Sequence, residues 1–259
     1  MSVALDVPSG GALFEGHFPG RPILAGIAEL ALVAKALAPV DGAVLGAIPF
    51  VRFRGVVLPG DRLDLTSGLR EDGATRFEVR RGGERVANGA LRFGAQAEEP
   101  DASIAVAARR SARASVIESL IPHRPPMRFV ERILGEAEDG LTCAARVPRA
   151  CALVEGGAVP SFVALEAAAQ AAAAWEALRR AGAQGAAEPL IGYLVSIGEV
   201  VLPCARLPAD EEFSVSIRLE AGAGALAGYQ VESVLDGEIV LRGRIGTYAP
   251  GQSSRNTNH

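Results

Sequence analysis

The sequence predicts an α+β fold made of two related units, each a long helix wrapped by a curled antiparallel sheet. Short sequence blocks recur in the same order in the two halves of the 259-residue chain. In each half, a long apolar helical segment precedes strands whose side chains alternate between apolar and polar. The composition, 49% hydrophobic and 22% charged, is that of a globular chain with enough apolar side chains for a core.

The recurring blocks define the repeat. Residues 56–63 read VVLPGDRL and residues 200–207 read VVLPCARL, with six of eight positions identical. GGERVANG at 82–89 is echoed by DGEIVLRG at 236–243, and the leading strands VALDVP and CAARVP also correspond. Because several matches keep the same order, the sequence indicates a tandem duplication.

The duplication predicts the domain boundaries. We expect an N-terminal unit over 1–96, a linker over 97–111, a C-terminal unit over 112–250 and a disordered polar tail over 251–259. The linker stretch mixes charges with alanine and has no clear period. The C-terminal unit opens with an extra piece, including a short helix over 116–121, that has no counterpart in the first unit.

Within each unit the patterns predict a helix followed by strands. The helices are expected over 22–38 and 160–181, and the first unit's strands over 48–57, 62–70, 74–81 and 85–94. The second helix is rich in alanine, which allows a sheet to approach it closely. A long helix wrapped in one curled antiparallel sheet is the hot-dog architecture. Two copies predict a double hot-dog whose units pair as a pseudo-dimer.

Composition and charge exclude several classes of function. A net charge of −4 and a pI near 5.5 argue against nucleic acid as a ligand. Three cysteines without a CxxC motif, and no secretory signal, indicate a reducing compartment and a cytoplasmic protein. The most apolar stretch contains Glu166 and Gln170, which argues against a membrane span. Three histidines nearly exclude a His-rich metal site. We expect no metal and no cofactor.

Four segments resemble one enzyme family. FEGHFPGRPILAG (14–26) and IPFVRFRGVVLPGDRL (48–63) resemble the active-site signature and following strand pair of FabA/FabZ-type 3-hydroxyacyl-acyl-carrier-protein dehydratases. LIPHRPPMRFVERIL (120–134) and VPSFVALEAAAQAA (159–172) resemble that family's opening segment and central helix. Within the family, the chain resembles the paired dehydratase subunits of aryl polyene gene clusters, here fused into one chain.

The resemblance implies one composite active site. In the family, a motif histidine is followed fourteen residues later by a helical acid, and each site takes its histidine from one subunit and its acid from the other. Fourteen residues after His17 lies Ala31, and fourteen before Glu166 lies Ala152. The pairing therefore predicts a live site of His17 with Glu166 and a dead site of Ala31 with Ala152. Glu29 is a rival acid, but about 200° of helical rotation separates it from Ala31, so it should point away from that site.

The expected reaction is dehydration of a 3-hydroxyacyl thioester to a trans-2-enoyl thioester. His17 would act as the base for the C2 proton because a neutral imidazole is available near neutral pH. Glu166 would act as the acid for the C3 hydroxyl. Burial in an alanine-rich helix is expected to raise the pKa of Glu166 and keep it partly protonated.

Further residues are expected to bind substrate. Gly26 matches the family's glycine whose backbone N–H binds the thioester carbonyl at a helix N-terminus. Phe18 and Pro19 would hold the histidine loop against the substrate, and Gln170, four residues after the acid, is a further contact. His123 is interpreted as structural, either capping the short helix or lining the entrance.

Acyl carrier protein, an acidic partner, would deliver the substrate on phosphopantetheine. A homo-oligomer or a ketosynthase/dehydratase complex is a further expectation. Two other functions stay open: a hot-dog thioesterase that uses Glu166 to activate water, and a non-catalytic module that binds acyl carrier protein. Arginines are the expected contacts for the carrier: Arg52, Arg54, Arg109, Arg110, Arg113, Arg128 and Arg132.

Overall fold

The structure, a computed structural model, describes residues 1–40, 43–94, 117–184 and 189–250. The first half contains one helix and five strands: β1 (Ser2–Asp6), α1 (Gly26–Leu37), β2 (Leu45–Phe53), β3 (Arg62–Leu69), β4 (Thr75–Arg81) and β5 (Glu84–Phe93). The second half contains α2 (Ile117–Leu120), β6 (Val130–Ala137), β7 (Gly140–Arg146), β8 (Ala158–Pro160), a 3₁₀ turn (Ser161–Val163), α3 (Ala164–Gln184), β9 (Tyr193–Val201), β10 (Arg206–Pro208), β11 (Glu212–Ala223), β12 (Leu226–Leu235) and β13 (Glu238–Tyr248).

The two halves repeat one strand order. The first half runs β1-β3-β4-β5-β2, and the second runs β7-β11-β12-β13-β9 with β6 added at the outer edge. Strands that correspond in sequence therefore occupy corresponding places in the sheet. This confirms the predicted α+β double hot-dog. The short strands β8 and β10 form a separate two-stranded sheet.

The halves join through β2 and β9, which pair antiparallel and make one continuous eleven-stranded sheet. Ile48 lies opposite Val200 and Val51 opposite Ile197, and all four side chains are buried. The neighbouring strand β13 approaches this junction closely at Gly243, where a Cβ atom would lie 2.5 Å from Cγ2 of Val200. The contact between the halves is therefore hydrogen-bonded backbone with an apolar core behind it.

The helix α3 is buried on nearly every side because most of its residues are alanine, which has high helix propensity and a small side chain. Strands β7, β11, β12 and β13 pack around it. Its largest side chain, Trp175, meets the Tyr229 ring edge-on at a centroid distance of 6.0 Å. The Tyr229 hydroxyl donates a hydrogen bond of 2.8 Å to Glu176, and the indole N–H of Trp175 donates to the carbonyl of Ala137 at 3.4 Å. Both polar atoms of this aromatic pair therefore have partners.

Two helix boundaries differ from prediction. The helix expected over 22–38 begins at Gly26, and Ala25 before it is extended (φ −61°, ψ 140°). The helix expected over 160–181 opens with the 3₁₀ turn and ends at Gln184. The predicted linker (97–111) and tail (251–259) lie outside the described residues, so those boundaries stay predictions. In the part of the chain that is described, no helix is both long enough and apolar enough to span a membrane.

The loop before α1 packs against the opening segment of the second half. Gly16 has a φ of +78°, and a Cβ atom there would lie 2.0 Å from the carbonyl oxygen of Arg124. The Arg124 N–H donates to the Gly16 carbonyl at 2.8 Å. Only glycine tolerates both this backbone conformation and this close approach. Gly16 therefore brings the residues that follow it, His17 and Phe18, beside the segment that carries His123.

Candidate active site

A cavity of about 300 Å³ lies between the two halves. The exposed residues of its lining, Arg54, Val56 and Tyr248, mark its mouth. Its buried lining carries ionisable side chains from both halves: His17 and Glu29 from the first, and His123 and Glu166 from the second. The lining is otherwise mainly apolar, as is usual for a site that binds a small molecule.

His17 is held as a neutral base. Its Nδ1 lies 3.2 Å from the carbonyl oxygen of Ile23, which can only accept, so Nδ1 carries the proton and Nε2 carries the lone pair. The ring stacks on Phe18 at a centroid distance of 4.0 Å. Burial, reinforced by His123, lowers the pKa of His17 to about 4, against the opposing effects of Glu166 and the Ile23 hydrogen bond. His17 is therefore uncharged at neutral pH and can accept a proton.

Glu166 lies at the start of α3, with its side chain buried and directed at the histidines. One carboxyl oxygen, Oε1, lies 3.3 Å from Nε2 of His123 and 3.1 Å from Nε2 of Gln170. Burial alone would raise the pKa of Glu166, but the hydrogen bond from His123, the two imidazoles and Gln170 outweigh it and lower that pKa. The expected net rise of this pKa is therefore wrong: burial does raise it, but the expectation left out His123, whose contact lowers it.

Gln170 fixes Glu166 in place. Its Oε1 accepts hydrogen bonds from the N–H groups of Phe129 (2.8 Å) and Val130 (3.2 Å), and its Nε2 donates to the carbonyl of Met127 at 2.7 Å. Gln170 is fully buried and does not line the cavity. It was predicted to bind substrate, but its position behind the carboxyl makes it a positioning residue.

His123 is the residue that the sequence reasoning missed. The side-chain donor atoms of His17, His123 and Glu166 all lie within 4.8 Å of one another, and the two imidazole centroids are 5.4 Å apart. Within the described structure, the buried Nδ1 of His123 has no hydrogen-bond partner. The interpretation of His123 as structural is therefore corrected, since it belongs to the reactive cluster. The available signal was that His123 lies in the extra piece that only the second unit has.

The cluster of two imidazoles and one carboxylate is also a donor set that a transition metal ion can use. The 3.3 Å contact between Nε2 of His123 and Oε1 of Glu166 is also suited to moving a proton between those two side chains.

Of the residues expected to bind substrate near His17, two line the cavity and one does not. Phe18 is buried and lines the cavity beside His17. Gly26 also lines the cavity and is the first residue of α1, so its N–H is among those with no acceptor inside the helix. Pro19 is exposed and is not part of the lining. The structure therefore does not place Pro19 at the substrate, and its role is limited to the shape of the loop.

The predicted dead site carries no histidine and no acid at Ala31 and Ala152. One turn beyond Ala31, the chain's single lysine, Lys35, forms an exposed ion pair of 2.9 Å with Glu155. Such a pair in solvent contributes little to stability. Lys35 lies four residues after Ala31, as Gln170 lies four residues after Glu166. The predicted dead site therefore differs from the His17–Glu166 site at three positions: the histidine, the acid and the glutamine.

The arginines predicted to contact the carrier protein differ in their surroundings. Arg54 lies at the mouth of the cavity just after the end of β2, and Arg52 is exposed on β2. Arg128 pairs with Glu118, and Arg132 forms two hydrogen bonds of 2.6 and 2.7 Å with Glu212, so both are engaged within the chain. Arg109, Arg110 and Arg113 lie outside the described residues.

Comparison with known families matches each half to a dehydratase. The ApeP dehydratase family matches residues 115–258, more than half of the chain, and the ApeI dehydratase family matches residues 1–90. The chain belongs to the ApeP dehydratase family. It is therefore a dehydratase of the hot-dog type, which confirms the predicted resemblance to the aryl polyene dehydratases and the predicted fusion of two such units.

Solved structures share the fold of this ApeP-family chain over nearly its whole length. The dehydratase domain of PpsC from Mycobacterium tuberculosis, in complex with C12:1-CoA, has a TM-score of 0.68 at 14% identity and covers 96% of this chain and 93% of its own. The dehydratase domain of RzxB from Pseudomonas fluorescens has a TM-score of 0.66 at 14% identity and covers 95% and 93%. A putative thioesterase from Novosphingobium aromaticivorans has a TM-score of 0.56 at 17% identity and covers 96% of each chain. At these identities the likenesses show the fold alone.

Proposed function

We propose that this enzyme removes water from 3-hydroxyacyl thioesters carried on acyl carrier protein and forms trans-2-enoyl thioesters, in fatty-acid-like or polyene biosynthesis. One observation carries the proposal. An imidazole from the first half meets a carboxyl and a second imidazole from the second half, within 4.8 Å, in the buried part of a cavity. Dehydration of this substrate needs such a pairing, a base at C2 and an acid at C3.

The base is His17. Its Nε2 takes the C2 proton, the electron pair of that bond forms the C2–C3 double bond, and the C3–O bond breaks. Negative charge develops on the thioester oxygen, where the N–H of Gly26 at the start of α1 is the donor available to stabilise it. The hydroxyl leaves as water after it receives one proton from the acid.

The acid is the Glu166–His123 pair. The lowered pKa of Glu166 makes its carboxyl alone a poor proton donor at neutral pH. A proton held between Oε1 of Glu166 and Nε2 of His123, 3.3 Å apart, can be given to the leaving hydroxyl. After the products leave, His17 returns its proton to the pair, and the protons of the enzyme balance. No metal or cofactor takes part in these proposed steps. Activity should therefore survive dialysis against a chelator.

The cavity mouth is the proposed contact for acyl carrier protein. Arg54 lies at the mouth and Arg52 is exposed beside it, and cations in this place suit an acidic carrier. A homo-oligomer or a complex with a ketosynthase remains a further proposal.

The test is turnover of a 3-hydroxyacyl group on acyl carrier protein, followed by mass spectrometry of the carrier-bound product. His17→Ala and Glu166→Ala should each lower kcat/KM by about 10² to 10⁴, while the control Lys35→Ala, at the dead site, keeps full activity. An equimolar mixture of the two inactive variants should stay inactive because each chain forms its own site. Release of free acid in place of the enoyl product would identify a thioesterase. Full activity in either variant would overturn the role assigned to that residue, and a wild type that forms neither product would leave a non-catalytic binding module.

A further inference from the structure

Glu29 is a buried carboxyl with no assigned role in the mechanism above. Its side chain is 3% exposed, and its Oε1 has no hydrogen-bond partner in the described part of the chain. A buried polar group without a partner is costly and requires an explanation. Burial raises the pKa of Glu29 to about 8, so the carboxyl is largely protonated at neutral pH and can donate a hydrogen bond.

Glu29 lies on the same helix face as Gly26. The two residues are three positions apart on α1, and both line the cavity. Side chains of an α-helix lean toward its N-terminus, so the Glu29 carboxyl covers the first turn of α1. This turn also presents the N–H of Gly26, which has no acceptor inside the helix.

Glu29 is not part of the His17–His123–Glu166 cluster. The side-chain ligand atoms of those three residues lie within 4.8 Å of one another, and Glu29 is not in that group. We therefore do not assign Glu29 as a second acid for the C3 hydroxyl. The part of the cavity that its carboxyl faces is the first turn of α1, where Gly26 also lines the cavity.

We propose that the Glu29 carboxyl donates a hydrogen bond to the thioester carbonyl oxygen of the substrate, as a second donor beside the N–H of Gly26. This rests on the proposed function, in which that oxygen gains negative charge when His17 removes the C2 proton. A donor that acts on developing charge stabilises the transition state more than the bound substrate. Removing Glu29 should therefore lower kcat with little change in KM.

The experiment compares Glu29→Leu, Glu29→Gln and the wild type on a 3-hydroxyoctanoyl group carried by acyl carrier protein, whose alkyl chain has no further polar group. Glu29→Leu should lower kcat by about 10²-fold, the usual effect of losing one such donor. Glu29→Gln keeps an N–H donor and should remain within about tenfold of the wild type. Lys35→Ala, on the exposed side of the same helix, is the control and should not change kcat.

A second readout needs no turnover and reports the hydrogen bond itself. An octanoyl thioester of pantetheine with a ¹³C carbonyl cannot eliminate water, and the infrared stretch of its bound carbonyl should lie at lower frequency in the wild type than in Glu29→Leu. An unchanged frequency would overturn the inference, as would wild-type kcat in Glu29→Leu. A loss confined to substrates whose chain ends in a hydroxyl would also overturn it, because the carboxyl would then bind the chain. A frequency shift in a wild type that does not form the enoyl product would instead refute the proposed function alone.

Discussion

Replacing Glu29 with glutamine should stabilise the folded protein at neutral and alkaline pH. Glutamine has nearly the same shape and cannot ionise, so the substitution removes the cost of a buried charge and little else. The wild-type side chain is almost fully buried, and its pKa is raised by burial from 4.5 to about 8. The folded chain therefore binds this proton more tightly than the unfolded chain does.

The sign and size follow from proton linkage. Below pH 4.5 the carboxyl is protonated in both states, and its contribution to stability is fully present. As the pH rises through 4.5, the unfolded chain ionises first, and the wild type loses stability until the pH passes about 8. At 1.36 kcal/mol for each unit by which the two pKa values differ, Glu29→Gln gains about 3 kcal/mol at pH 7 and about 5 kcal/mol above pH 8.

The measurement is urea unfolding, followed by far-ultraviolet circular dichroism, of both proteins between pH 4.5 and pH 9. Other ionisable groups cancel in the difference between the two free energies of unfolding, so this difference should grow with pH. Glu71→Gln, at an exposed carboxyl, is the matched control and should show no such growth. A difference between Glu29→Gln and wild type that is constant over the range would refute the reasoning.

Two other predictions test the junction of the halves and the base. Gly243→Ala should lower the free energy of unfolding by about 1 to 3 kcal/mol, because its Cβ would lie 2.5 Å from Val200. Gly198, on the paired strand, has open space around it, so Gly198→Ala should lower the free energy of unfolding by less than about 0.5 kcal/mol. Equal losses in the two variants would contradict this packing. Because the pKa of His17 is lowered to about 4, protonation should switch the base off only near that pH, and kcat/KM should show its acid limb there. An acid limb in His17-dependent turnover near pH 6.5, the ordinary pKa of histidine, would contradict this.

The fold could be predicted because duplication places the same information in the sequence twice. The match of VVLPGDRL to VVLPCARL aligned the strands of the two halves, and the sheet order follows that alignment. The pairing of His17 with Glu166 was predictable for the same reason, since each half lacks the group that the other supplies.

His123 was not predictable in this way because nothing in the first half corresponds to it. Its place depends on a contact between Gly16 and Arg124, which are far apart in the chain, and no periodicity reports such a contact. The direction of the Glu166 pKa shift was missed with it, since the hydrogen bond from His123 is a main cause of that shift. The position of Gln170 behind the carboxyl likewise depends on the backbone of the segment that carries His123, which its amide binds at Met127 and Phe129.

Fusion of the two units allows them to carry different residues. In a dimer of identical subunits, a change in the acid or the histidine removes that group from both symmetric sites. In this chain the halves share one continuous sheet through β2 and β9, so each half meets the other half in a fixed arrangement and can specialise. The first half keeps the histidine loop and the N-terminus of α1, and the second keeps the acid and adds His123 beside it. Ala31 and Ala152 stand fourteen positions from His17 and Glu166 in the sequence, and Lys35, one turn beyond Ala31, forms an exposed ion pair with Glu155. The asymmetry therefore makes the interface between the halves a part of the active site, so a variant that weakens the β2–β9 junction should lose activity before it loses the fold of either half.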